Sequence, residues 1–201
     1  MIRRPGTAED SLSAAGRRFQ PASGLDKIRI ETQSLAHAME DLQKDRGVLT
    51  SSVVFQRLTP AEMDLVLATA QFIEAKPGQL LLTEGTPGDG LYVILEGQIE
   101  VFLPERAASG AHRPSLVRLN RLGPGRCFGE YGVVDDQPSS ASAAALTPAR
   151  LCFLPKAAFQ RLLERNDHVG RTVYGNLLRF LISRLRSKDR ELDLIVLDDR
   201  R

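Results

Sequence analysis

The sequence predicts a mainly β domain, an antiparallel sheet doubled or closed on itself with helices at its flanks. Two observations carry that expectation. Seven short β-like runs follow one another between residues 71 and 154, separated by Gly- and Pro-rich turn signals. From Lys156 the apolar period changes to a helical one and stays helical to about Leu192.

Composition bounds what such a domain does. The chain of 201 residues is long enough for one domain with a sizeable core, plus tails. With 42% hydrophobic and 26% charged residues it has the make-up of a soluble globular protein. A net charge of +2 gives no global electrostatic case for nucleic acid. Cys127 and Cys152 form no C-x-x-C pair, which argues against a disulfide framework and fits a reducing compartment. No apolar run approaches the roughly 20 residues that span a bilayer. The N-terminus lacks the apolar stretch of a secretory signal, so a cytoplasmic location is expected.

Taken in order, residues 1–24 read as a disordered tail, rich in Arg, Ser, Ala and Gly without an apolar period. Residues 25–52 form a separate segment. In it Lys27–Glu31 alternates like a short strand, and Ser34 is placed to cap a helix with Leu35, Ala38, Met39 and Leu42 on one face. A helix this short needs a surface to pack on, and the main domain is the expected one. Thr59-Pro60-Ala61-Glu62 is a helix start, with a capping threonine, proline at the first helical position and a glutamate completing a capping box; the helix is predicted to reach about Ala70. The predicted strands are Gln71–Ala75, Gln79–Thr83, Leu91–Leu95, Gln98–Leu103, Ser115–Asn120, Ala141–Leu146 and Arg150–Leu154. Glu96-Gly97 reads as a tight hairpin turn and Ala107–Pro114 as a loose loop. Phe159, Leu162 and Leu163 suit a short helix. Val169, Val173, Leu177, Leu178, Leu181, Ile182 and Leu185 mark a longer one, either packed on the domain or facing a partner helix. A homodimer through Val173, Leu177, Phe180, Leu181 or their neighbours is the expected use of that face, while Arg184, Arg186, Lys188 and Arg190 read as its solvated side. Residues 193–201 read as a C-terminal tail.

Two stretches carry a resemblance. The first runs Phe55-Gln-Arg-Leu-Thr-Pro, then Pro77-Gly78 to Glu84-Gly85, then Gly88-Asp89-Gly90-Leu91-Tyr92-Val93-Ile94-Leu95-Glu96-Gly97. The second is Leu122-Gly123-Pro124-Gly125-Arg126-Cys127-Phe128-Gly129-Glu130. Glycines, Tyr92 and Phe-Gly-Glu in this order and spacing resemble the cyclic-nucleotide-binding family over residues 53–192. The resemblance implies an eight-stranded antiparallel, jelly-roll-like β-roll with one helix before it and two after. It also implies cAMP or cGMP as the ligand, no metal, and a regulatory role without catalysis, exerted through a protein partner.

In that family the ligand lies against a phosphate-binding cassette, a turn and short helix whose backbone N–H groups meet the anion. Carried over by position, the cassette runs from Phe128 to about Ala145. It contributes Gly129 for close backbone approach, Glu130 for the ribose 2′-hydroxyl, Tyr131 beside it, and the N–H groups of Ser140 and Ala141 for the cyclic phosphate. The pattern departs at one place: Ser139 occupies the position of an arginine that forks onto the phosphate. Asp135 and Asp136 are expected near the phosphate, where they would repel it, and Arg126 and Arg150 are the candidates to replace the missing cation.

Rival functions meet specific obstacles. A DNA-binding regulator needs a helix-turn-helix after the long helix, and nine residues follow Leu192, so direct DNA binding is not expected. A metal enzyme needs clustered ligands, whereas His37, His112 and His168 are scattered. No serine sits in a Gly-x-Ser-x-Gly turn. A ligand-free interaction module is the alternative that stays open. In this connection residues 24–42 are similar to the closing strand and helix of a STAS domain, which in some anion transporters precedes a cyclic-nucleotide-binding domain.

Overall fold

Eight antiparallel strands form two four-stranded sheets in the computed structural model, which describes residues 40–135 and 137–198. The strands are β1 Gln71–Ala75, β2 Leu80–Leu82, β3 Gly90–Glu96, β4 Ile99–Leu103, β5 Val117–Leu122, β6 Cys127–Phe128, β7 Ser142–Ala145 and β8 Ala149–Pro155. One sheet has the order β1-β8-β3-β6 and the other β2-β7-β4-β5. Helix α1 covers residues 40–51; α2 is Pro60–Thr69, α3 Glu130–Val134, α4 Lys156–Arg165 and α5 Asp167–Asp198. Seven strands coincide with the runs expected from the sequence. β6 is the addition, two residues inside the Phe-Gly-Glu motif that are too few to show a period of their own. The expected tail over residues 1–24, the 27–31 strand and most of the helix begun at Ser34 lie outside the described residues.

β4 and β5 are neighbours in both chain and sheet, joined by the expected loop, while the other strand connections pass from one sheet to the other. The hairpin expected at Glu96-Gly97 is therefore not formed. β3 pairs with β8 and β6, β4 pairs with β5 and β7, and the chain crosses between sheets at Gly97. A two-residue turn ending in glycine signals a reversal but does not say which ladder follows. Gly97 has φ +83°, and a Cβ there would fall 2.3 Å from the Pro148 carbonyl oxygen, so the corner tolerates glycine alone. The β7-to-β8 crossing lies alongside. The Leu146 N–H donates to the Gln98 carbonyl at 2.8 Å, and the Gln98 N–H to Thr147 Oγ1 at 3.0 Å.

β3 explains the layering. Its residues Gly90–Leu95 are all buried, as the unbroken run Leu91–Leu95 suggests. Leu91, Val93 and Leu95 face a helical layer with Leu49, Phe55, Met63, Val66, Phe159, Val173 and Leu177. Tyr92 and Ile94 face the space between the sheets, with Ile99, Phe128, Ala143, Ala145 and Leu151. In that second layer β7 contributes small side chains, and the volume they leave unfilled opens into the cavity described below.

The helices dock through specific contacts. Thr59 caps α2 in the expected capping box: its Oγ1 accepts from the Glu62 N–H at 3.3 Å and Glu62 Oε2 accepts from the Thr59 N–H at 2.8 Å. Thr59→Ala is expected to cost about 1 kcal/mol, read as a lowered urea midpoint at unchanged slope. In α1, Leu49 is fully buried and Leu42 is 54% exposed, so the apolar face expected around Leu42 is not the docking face. Buried Asp45, four residues before Leu49, takes both terminal nitrogens of Arg150 from β8. Asn176 of α5 donates to the carbonyls of Val54 and Gln56 at 3.1 and 2.7 Å.

α5 runs six residues past the expected end at Leu192. Val173 and Leu177 are buried in the helical layer and cannot form a seam with a second copy. Among the residues of α5 whose burial is described, the large exposed apolar ones are their neighbours Tyr174, Leu178, Ile182 and Leu185. Among the described residues no helix is long and apolar enough to cross a membrane.

The acid limb of stability follows from three paired carboxylates. The Thr59 backbone N–H lowers the Glu62 pKa, Arg113 lowers that of Glu84, and Lys44 lowers that of Glu96. A depressed folded-state value gives stability that is present above the unfolded value near 4.5 and lost as pH falls through the folded one. Glu130 has the opposite sign, because burial raises its pKa. Calorimetry is expected to show a melting temperature that drops below about pH 4.5, and Glu84→Gln is expected to flatten part of that drop.

Candidate functional site

The site is built where β6 runs into α3. Phe128 stacks on Tyr92 with ring centroids 4.8 Å apart, and Phe153 lies against the same ring at 4.5 Å. The Tyr92 hydroxyl donates to Asp89 at 2.9 Å; burial and that carboxylate hold the phenol protonated. Gly129 follows in the left-handed region, with φ +80°, and a Cβ there would sit 2.5 Å from the Gly90 carbonyl oxygen. Here the chain turns sharply enough to start α3 at the next residue.

That residue is Glu130, only 3% exposed. Its Oε1 accepts a hydrogen bond from Arg184 Nη1 of α5 at 2.5 Å. The Arg184 guanidinium also lies 5.8 Å from the Tyr131 ring centroid and 5.6 Å from that of Phe180. Burial raises the Glu130 carboxyl above its ordinary value, and Arg184 opposes the rise. After α3 the chain returns beside the turn before β3. The Ser139 N–H donates to the Thr86 carbonyl and the Gly85 N–H to the Ser139 carbonyl, both at 2.8 Å. These two bonds fix the Ser139 backbone as part of the loop.

Gly129, Glu130, Tyr131, Ser139, Ser140 and Ala141, the six residues expected at the site, line one cavity of about 790 Å³. Val101, Leu103 and Leu119 form an apolar flank on β4 and β5, and Phe180 and Arg184 close the side toward α5. Arg121, Arg126 and Lys188 add positive charge at its edge. Burial pushes the Cys127 thiol, at the same wall, up to about 12, so it is no thiolate nucleophile at neutral pH. The cavity thus pairs cationic groups with an apolar flank.

Two expectations are corrected and a third is extended. Arg150 does not reach the cavity, because Asp45 holds it in a two-pronged contact on the far layer. Asp135 caps the end of α3, its carboxylate accepting from the Gln137 N–H at 3.1 Å, and does not line the cavity; Asp136 lies outside the described residues. Arg184 and Lys188, read as solvated, are exposed as expected and also line the cavity. Sequence reasoning missed Phe180, Ser183, Arg184, Ser187 and Lys188 as cavity residues. Their spacing of three and four places them on one helical face, and tertiary packing decides that this face, among those of the helix, meets the cavity.

The fold is a β-roll with a cavity between the roll and the C-terminal helix. Residues 72–166 match the family described as "Cyclic nucleotide-binding domain". The chain belongs to that family. It is 32% identical over 153 residues to the "Cyclic AMP receptor protein" of Thermus thermophilus, covering 76% of this chain and 66% of that one. It is 26% identical to the "cAMP-dependent protein kinase regulatory subunit" of Eremothecium gossypii, covering 70% of this chain and 28% of that one. A solved cyclic nucleotide-binding domain from Methylobacillus flagellatus superposes with a TM-score of 0.63 at 28% identity, covering 75% of this chain and 82% of that one. The chain thus spans 66% of the first of these relatives and 28% of the second.

Proposed function

We propose that this chain is a regulatory sensor module, without catalytic activity, whose cavity binds cAMP or cGMP through a cassette weakened at Ser139. The convergence of Gly129, Glu130, Tyr131, Ser139, Ser140 and Ala141 on one cavity carries this reading. At about 790 Å³ the cavity has the volume of a small-molecule site. The N–H groups of Ser140 and Ala141 take the phosphate, Glu130 takes the ribose 2′-hydroxyl, and the apolar flank of Val101, Leu103 and Leu119 adjoins the base. The names of the two relatives, a cyclic AMP receptor and a cAMP-dependent kinase regulatory subunit, support the ligand class. On this reading the module acts in the cytoplasm through a protein partner, and a second copy docks on the exposed face of Tyr174, Leu178, Ile182 and Leu185.

One observation favours a second reading. Arg184 already occupies the Glu130 carboxylate that the ribose would use, so a self-filled pocket would leave a ligand-free interaction module. Calorimetric titration of the full chain with cAMP and cGMP, with 5′-AMP as control, separates the two. Saturable one-site binding of a cyclic nucleotide is expected. No heat from either, in the wild type and in Ser139→Arg alike, would establish the ligand-free reading.

A further inference from the structure

We infer that Arg184, on α5, is the phosphate-binding cation of this pocket and replaces the arginine that the cassette lacks at Ser139. The inference rests on the cyclic-nucleotide reading above and names the residue that completes it. An anionic phosphate in a partly desolvated cavity requires a positive partner. Ser139 carries no charge, and Arg150 is committed to Asp45 away from the cavity. Of the other cations at the cavity, Arg121 lies 3.7 Å from Glu100 on the strand beside it.

Arg184 differs from these in being held against the cassette. Three groups position its guanidinium: the Glu130 carboxylate at 2.5 Å, the Tyr131 ring at 5.8 Å and the Phe180 ring at 5.6 Å. Two of the three belong to the cassette itself. A guanidinium presents five N–H groups in a plane, and the bond to Glu130 is made through Nη1. A phosphate oxygen is therefore met by the other edge of the same fork without loss of the Glu130 contact. Arg184 also neutralises Glu130, a buried anion that would otherwise repel the ligand. Arg184 lines the cavity, and its side chain is 45% exposed. Because the cation stands on α5 rather than in the cassette, phosphate binding ties that helix to the roll.

The test is calorimetric titration of the full-length chain with cAMP and cGMP at two salt concentrations, for the wild type, Arg184→Met, Arg186→Met, Ser139→Arg and Ser139→Arg/Arg184→Met. Arg186 is on the same helix and does not line the cavity, so it controls for the loss of one charge. Arg184→Met is expected to lower affinity by about one to two decades, the scale of one charge-assisted contact, and to flatten the salt dependence of binding. Arg186→Met is expected to leave affinity unchanged, and the double variant to recover what Arg184→Met loses. That recovery also shows that the loss is not misfolding. Unchanged or tighter binding by Arg184→Met would make the arginine a plug and overturn the inference while leaving the ligand reading intact. Binding by Ser139→Arg but not by the wild type would overturn it in the same way. Silence from the wild type and Ser139→Arg together would overturn both.

Discussion

Arg150→Met lowers the unfolding free energy by about 3 kcal/mol, the expected cost of breaking a buried ion pair from one side. Asp45 is 4% exposed, and its carboxylate is met by both terminal nitrogens of Arg150. Removing the guanidinium strands a negative charge between α1 and β8. The Lys44–Glu96 pair lies beside it, but both side chains are about half exposed, so that pair adds little. In urea the midpoint is expected to fall by roughly 1–2 M at unchanged slope. Asp45→Leu/Arg150→Met is expected to recover most of the loss, because the desolvation penalty leaves with both charges. A single-variant cost below about 1 kcal/mol would mean that α1 is not held on the roll by this pair.

Ser139→Arg raises cyclic-nucleotide affinity by about one to two decades, the second large effect expected. Ser139 is partly exposed at the cavity wall, and its backbone is fixed by the Thr86 and Gly85 bonds, so a longer side chain enters without moving the loop. The new fork would give the phosphate a second cation beside Arg184. Part of the gain should shrink in high salt, since the cavity opens to solvent. Stability without ligand should change little, because the serine side chain makes no core contact. The same titrations measure it, and an unchanged or weakened affinity would place the phosphate elsewhere in the cavity.

The parts of this architecture legible in the sequence are those set by local chemistry. The α2 start is written in Thr59, Pro60 and Glu62, and the strand positions in short apolar runs between glycine turns. The change to helix at Lys156 is equally local. The cassette residues were found together because they are close in sequence, from Gly129 to Ala141. Long-range pairing was not legible. Glu96-Gly97 looks like a hairpin turn, yet whether β4 follows β3 in one sheet or crosses to the other is decided by the partners β8 and β7, some 50 residues on. The same holds for α5. Its apolar positions mark a helix, but packing alone distinguishes Val173 and Leu177, turned to the core, from Leu178 and Leu185, turned to solvent. Arg184 stands among several cations of one helix, and only the fold brings it within 2.5 Å of a glutamate 54 positions earlier.

Amide hydrogen exchange of the full chain, with and without saturating cAMP, tests most directly that the cavity between cassette and α5 is a cyclic-nucleotide site. Slowed exchange is expected in two stretches together, the cassette, which lines the cavity with residues 129–132 and 139–141, and α5, which lines it with Phe180, Ser183, Arg184, Ser187 and Lys188. Protection absent from both stretches, or confined to another part of the chain, would contradict the account.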